Sequence, residues 1–218
     1  MFTNARFVGV GLVSIALVLL IAAGARGQVG KSLGLKDVNT MSESELRALP
    51  HMTDSTAQAV LAARPFASPE ALHQLLLQVG GLSPEQAVEI YRKAFVHINL
   101  NTARPEEILL IPGAGKKMAR EFAEYRPWKT WAQFEKEIGK YVGRDEVARL
   151  AQYCFIPIPL NTAGDEDLQS IPGVGSRMLR ELKEYRPYKS IEQFRREIGK
   201  YVDERELSRL ERYLAIDG

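Results

Sequence analysis

Two five-residue segments, sixty positions apart, carry the residue types best suited to hold a ligand: Ile111-Pro112-Gly113-Ala114-Gly115 and Ile171-Pro172-Gly173-Val174-Gly175. Two glycines around one apolar residue, after a proline, let the chain reverse tightly and leave backbone N–H groups facing outward. A bend of this kind feeding a helix start is an anion seat, because the first N–H groups of a helix lack partners and carry the positive end of its dipole. The expected chemistry is phosphate binding: the amides of residues 113–117 and 173–177 form a nest. Lys116, Lys117 and Arg120 flank the first nest, and Ser176, Arg177 and Arg180 flank the second. The candidate phosphate-binding set is therefore Gly113, Ala114, Gly115, Lys116, Lys117 and Arg120, with Gly173, Val174, Gly175, Ser176, Arg177 and Arg180. Both features also have plainer uses. The glycines could merely close turns between packed helices. The cations could belong to ordinary solvated helix faces, since Glu121, Glu124, Glu181 and Glu184 share those helices.

The bends need helices on both sides, and the apolar spacing supplies them. The chain repeats: about half of the residues after Asn101-Thr102-Ala103 are identical to those after Asn161-Thr162-Ala163. A fainter first copy opens at Asn39-Thr40 and reaches Arg64-Pro65 at the matching distance. A period of about sixty residues holds four or five short helices. Each copy opens with a cap-competent Asn-Thr pair, and Ser42 and Glu45 have capping-box spacing. An opening helix is expected to carry Leu46 and Leu49, Ile108 and Ile111, or Leu168 and Ile171. After the bend, Met118, Phe122 and Tyr125 (then Met178, Leu182 and Tyr185) make a buried stripe that Arg-Pro ends. A third helix carries Trp131, Phe134 and Ile138, or Ile191, Phe194 and Ile198. A looser turn at Gly139-Lys140-Tyr141-Val142 leads to a last helix with Val147 and Leu150, or Leu207, Leu210 and Leu214. No strand-forming alternation of useful length appears, and the Ile156-Pro157-Ile158-Pro159 joint reads as extended. The expected fold is all-α: tandem units of short helices at 37–98 (degenerate), 99–158 and 159–218.

Ahead of these units, Phe7 to Ala23 is almost wholly apolar, and Ala23-Gly24-Ala25 offers a small-x-small cleavage site. Residues 1–25 read as a secretory signal or as a retained membrane anchor; both send the rest across a membrane, with 26–36 as a linker. Cys154 is the sole cysteine, so no intrachain disulfide forms. It lies in an apolar run and reads as a buried small hydrophobe.

Charge excludes a polycationic arm. Basic and acidic residues number seven and seven between Arg26 and Ile98, ten and eight between Asn99 and Ile158, and eleven and twelve between Pro159 and Gly218. Any affinity for nucleic acid must come from local placement. His51, His73 and His97 give no metal-ligand spacing, no nucleophile–base arrangement stands out, and no cofactor or metal is implied. Tyr125, Trp128, Trp131, Tyr185 and Tyr188 are assigned to core packing rather than base stacking, and Arg126 and Arg186 to clamping helix ends.

The ordered series Asn99-Leu100-Asn101-Thr102-Ala103, Glu106-Glu107-Ile108, the Gly113 bend, Ala119 and Tyr125-Arg126 resembles the ComEA family of helix-hairpin-helix proteins. The third copy carries the likeness through Asn161-Thr162-Ala163, the Gly173 bend, Tyr185-Arg186 and Tyr188-Lys189-Ser190. The resemblance implies helical hairpins and sequence-independent binding of double-stranded DNA outside the cytoplasmic membrane, in the periplasm or on that membrane's outer face. It also implies envelope or uptake-machinery proteins as further partners and a role in bacterial competence. The chain departs from the family pattern in having three units and in lacking Pro-Gly-x-Gly at Gly139–Val142 and Gly199–Val202. It also has Pro50-His51-Met52-Thr53 in place of the first copy's bend, so no DNA contact is carried onto that copy.

Three function classes follow. The first is a non-enzymatic DNA-binding module; the second is a structural or protein-interaction module of the cell envelope that uses its hairpins for packing. The third is a DNA glycosylase with Lys117 as catalytic lysine. It is disfavoured because Arg177 stands at that place in the third copy and the large surrounding glycosylase domain is not evident.

Overall fold

A computed structural model of the chain describes residues 28–216. The signal or anchor expected at 1–25 lies outside the described residues. Helices dominate, in an order that occurs three times. The first round is β1 (Lys36–Asp37), α1 (Glu43–Arg47), α2 (Asp54–Ala63), α3 (Pro69–Gln78), α4 (Pro84–Tyr91) and β2 (Ala94–Phe95). The second is β3 (Ile98–Asn99), α5 (Pro105–Leu109), α6 (Lys116–Glu124), α7 (Trp131–Ile138), α8 (Arg144–Ala151) and β4 (Cys154–Phe155). The third is β5 (Ile158–Pro159), α9 (Asp165–Gln169), α10 (Ser176–Glu184), α11 (Ile191–Ile198), α12 (Glu204–Glu211) and β6 (Leu214–Ala215).

The two-residue strands are too short to leave a periodic trace in the sequence. Each opening strand pairs in parallel with the strand that closes its own round: Lys36 opposite Ala94, Ile98 opposite Cys154, Ile158 opposite Leu214. Parallel neighbours require a crossover, and here four helices provide it. Leu214, expected on the last helix, lies in β6 instead. Leu49, Ile111 and Ile171 fall just beyond their short helices, yet all three are buried.

The Asn-Thr pairs do not cap helices. Ser42 caps α1, with Glu45 returning the bond as the capping box predicts. Each opening asparagine instead bridges sideways. Asn101 donates to the Trp128 carbonyl (3.0 Å) and accepts from the Trp128 N–H (2.6 Å). Asn39 does the same to Phe66, and Asn161 to Tyr188. Those partners follow cis Arg-Pro bonds at Arg64-Pro65, Arg126-Pro127 and Arg186-Pro187. Arg126 Nε donates to the Leu100 carbonyl at 2.7 Å and its Nη2 to that of Ala103, so it clamps the opening turn rather than a helix end.

The aromatic residues pack as the stripes predict. Trp128, Phe122 and Phe134 are buried and Trp128 donates its indole N–H to the Phe122 carbonyl; in the third round Tyr188 packs on Phe194 and donates its hydroxyl to the Glu181 carbonyl. One apolar cluster runs through the first two rounds; a second fills the third round and includes Val29 and Phe155. Cys154 is buried, and burial pushes its thiol well above its ordinary value.

The stretch expected to be a free linker is docked from residue 28 onward. Val29 bridges Phe155 in antiparallel fashion, Gly30 donates to the Cys154 carbonyl, and Ile156 donates back to the Gln28 carbonyl. Gln28 and Val29 also reach Asp167 and Ser170 in the third round. At Gly30 a Cβ would lie 1.9 Å from the Ala151 carbonyl oxygen, so glycine is what permits this approach.

The first and third rounds meet at a buried polar cluster that sequence spacing gave no sign of. The Tyr213 hydroxyl donates to Asp37 Oδ2 (2.8 Å), and His97 Nδ1 lies 3.3 Å from that hydroxyl and 3.5 Å from the carboxylate. Burial pushes the Asp37 carboxyl up, but the bond and charge of His97, the Asn39 N–H and the Tyr213 hydroxyl outweigh it and bring it down to about 2. Arg212 donates to the His97 carbonyl across the same seam.

Candidate anion-binding bends

The turn between α5 and α6 begins where Ala114 N–H bonds back to the Ile111 carbonyl, closing the bend around Gly113. Gly113 sits at φ 83°, in the left-handed region that a side chain disfavours. Gly115 is the N-cap of α6, with φ −96° and no side chain to offer the helix. The third round repeats this: Gly173 at φ 83° and Gly175 as the uncapped start of α10. All four glycines are exposed, while Ala114 and Val174 between them point into the core.

The uncapped starts stand out against the rest of the fold. Among the described residues nine helices have eight or more residues, and six of them begin on a Ser, Thr or Asp whose side chain accepts from the first turn. The other three begin on Gly115, Gly143 and Gly175. Gly143, at the start of α8, was not singled out from the sequence. Among the described residues, the N–H groups of Gly113, Gly115, Lys116 and Lys117 meet no protein acceptor, nor do those of Gly173, Gly175, Ser176 and Arg177.

The flanking side chains divide between the two faces of their helices. Lys116, Lys117, Arg120, Ser176, Arg177 and Arg180 are exposed, whereas Glu121 and Glu181 are 4% exposed. Glu121 and Glu181 are thus drawn in beside their helices, while Glu124 and Glu184 stay on the surface. Arg120 and Arg180 reach their neighbours Glu121 and Glu181 at 3.8 and 3.0 Å. The Arg180 guanidinium holds the Glu181 carboxyl below the usual carboxylate range. Among the described residues no carboxylate pairs with Lys116, Lys117 or Arg177. Lys117 instead lies 4.9 Å from the centre of the Tyr141 ring, on the looser second turn. The Tyr141 hydroxyl bonds that of Tyr125 at 2.9 Å, and Tyr201 bonds Tyr185 at 2.7 Å. These phenols brace the second turn against the cation-bearing helix.

Two arginines border the bends and were missed in the sequence. Arg149 Nη2 lies 3.2 Å from the point where a Cβ on Gly113 would sit, and Arg209 Nη2 lies 3.0 Å from the same point on Gly173. Each is held by a two-point pair to a glutamate one turn earlier, Glu146 or Glu206, at 2.6 and 2.7 Å. The signal was present: both arginines and both glutamates recur sixty residues apart.

In the first round the bend is filled. His51 occupies the left-handed position at φ 59°, and its Nε2 lies 2.9 Å from Glu89 on α4. Thr53 caps α2 through the Thr56 N–H, and Asp54 takes the place of Lys116. The other turn of this round, at Gly81 (φ 64°), is closed by the Ser83–Gln86 capping box.

No group of three or more His, Cys, Asp or Glu gathers as a metal site among the described residues, nor is any helix there long and apolar enough to cross a membrane. The chain matches no protein-family model, no curated protein and no solved structure.

Proposed function

We propose that this chain is an exported protein of tandem helix-hairpin-helix units, ComEA-like, that binds double-stranded DNA without reading its sequence. It grips phosphates at the Gly113 and Gly173 bends and serves DNA capture or uptake, in the periplasm or on the outer face of the cytoplasmic membrane. The observation that carries this is the pair of exposed glycine bends whose helices lack side-chain caps, flanked by Lys116, Lys117 and Arg177, which have no carboxylate partner among the described residues. Open amides and unpaired cations at one spot suit a phosphate oxygen, and they carry no base specificity. The net formal charge of +2 gives little bulk attraction, so binding depends on these places.

The test is a duplex gel-shift series over salt. With about four phosphates neutralised, log affinity falls against log salt with a slope of about −3.6. The informative variant joins Gly115→Asp to Gly175→Asp. At an N-cap, Asp accepts from the open amides and strengthens the helix, so the fold survives while the seat is occupied by a carboxylate. Wild-type binding at low salt, lost in this variant, supports the proposal. No binding at low salt, or binding indifferent to the two aspartates, sinks it.

A second reading, a packing module of the envelope, is favoured by the first round, where His51 and Glu89 close the bend outright. A stable protein partner recovered from envelope extracts, with no affinity for DNA, would establish it.

A further inference from the structure

We infer that Arg149 and Arg209 belong to the anion seats: each guanidinium stands behind its glycine bend and helps to hold the phosphate bound at the bend's amides. This rests on the duplex-binding reading of the same bends, and adds to it a residue on the last helix of each round.

Three observations carry it. The first is position. Apart from the bend's own residues, only the Arg149 guanidinium comes within 4 Å of the point where a Cβ of Gly113 would sit; Glu146, which binds it, stays farther off. The cationic end of the pair therefore faces the bend. At Gly173 the same place is taken by Arg209, joined by Thr40 Cγ2 at 3.4 Å.

The second is what persists between the copies. Of the eight residues of α8 and α12, Glu146/Glu206, Arg149/Arg209 and Leu150/Leu210 are alike. The leucines are core residues, 1% and 0% exposed, which accounts for them. The glutamate–arginine couple is polar, and its arginine is part-exposed in the second round but buried in the third, so apolar packing alone does not account for it. In the first round its places are held by Gln86 and Glu89, and there the bend carries His51. The arginine accompanies an open glycine bend, and an acid accompanies a closed one.

The third is an unmet donor. Arg209 is 2% exposed, yet its Nη1 has no hydrogen-bond partner among the described residues. The atom nearest the bend is Nη2, which also binds Glu206, so Nη1 is a spare donor on the buried cation beside the bend. Arg149 is more open, with 30% of its side chain exposed, and can reach a phosphate oxygen directly.

The test uses the full chain and two probes, a duplex in the salt series and inorganic phosphate followed at the Gly113 and Gly173 amide resonances. Arg149→Gln should lower the magnitude of the salt slope by about 0.9, the share of one phosphate. It should also weaken the phosphate titration at Gly113 while leaving that at Gly173 as it was. Arg149→Lys should restore the slope. A merely structural arginine would lower the thermal midpoint without moving the slope or the titration, and that result overturns the inference while leaving duplex binding intact. If the wild type ignores duplex but phosphate shifts Gly113 in an Arg149-dependent way, the duplex reading fails and this inference stands. If phosphate shifts neither bend and the slope does not move, the inference is overturned.

Discussion

Gly113→Ala and Gly115→Ser lie two residues apart in one exposed turn and should move stability in opposite directions. At Gly113 the backbone is left-handed, φ 83°, and a Cβ would stand 3.2 Å from Arg149 Nη2. Placing an L side chain there costs about 1–2 kcal/mol. Displacing a part-exposed Arg149 from its pair with Glu146 adds less than about 1 kcal/mol. The expected loss is about 2 kcal/mol, a fall in thermal midpoint of about 4–8 °C for a chain of this size. At Gly115 the backbone is extended, φ −96°, and no heavy atom lies within 4 Å of a new Cβ. Serine there accepts from the first turn of α6 and should gain a few tenths of a kcal/mol, aspartate about as much or more. Urea unfolding of the three variants beside the wild type reads this directly. If Gly113→Ala unfolds with the wild type, the bend is not held left-handed. If Gly115→Ser or Gly115→Asp falls as far as Gly113→Ala, the start of α6 is not an uncapped helix end, and the case for open amides goes with it.

Three further outcomes follow from other parts of the fold. Asn101→Ala removes both bonds to Trp128 and leaves a buried N–H and carbonyl unpaired; a loss of about 2–3 kcal/mol in urea unfolding is expected. Gly30→Ala meets the Ala151 carbonyl at 1.9 Å, so the docked segment should lift off and hydrogen exchange at the Ile156 amide should accelerate. Asp37 is depressed to about 2 in the fold from 3.8, so it stabilises the folded state fully above the unfolded value and loses that contribution as pH falls through the folded one. The stability gap between wild type and Asp37→Asn should therefore shrink by about 2 kcal/mol between pH 4 and pH 2, measured as urea midpoints; a constant gap refutes the assignment.

What the sequence made legible was local. The bends follow from Gly113, Gly115, Gly173 and Gly175, the buried faces from Phe122, Phe134, Leu182 and Phe194, and the α1 cap from Ser42 and Glu45, because each depends on neighbours within about one helical turn or one bend. What it hid is carried by contacts across many residues. Asn101 looked like a cap because its use, a bridge to Trp128, is settled by a partner 27 residues on. Gln28 to Lys36 looked like a linker because the carbonyls and amides that hold it belong to β4 and to Asp167 and Ser170. The Asp37–His97–Tyr213 cluster joins residues from the two ends of the described chain, and no spacing rule reaches so far.

The first copy shows what such distance conceals. Read along the sequence, His51 for glycine, Glu89 for arginine and Gln86 for glutamate are three scattered differences from the later copies. In space they are one. His51 takes the left-handed position, Glu89 receives its Nε2 at 2.9 Å, and Gln86 stands 3.4 Å from its Nδ1. A histidine at φ 59° is disfavoured by sterics, so side-chain partners that tie it down offset part of that cost. An arginine at position 89 would instead face a ring that it could pair with poorly. The filled bend and the opposite charge behind it therefore belong together in the first round. In the later rounds the arginine behind the open bend is matched from within its own helix, by Glu146 or Glu206 one turn earlier, and the bend itself stays open.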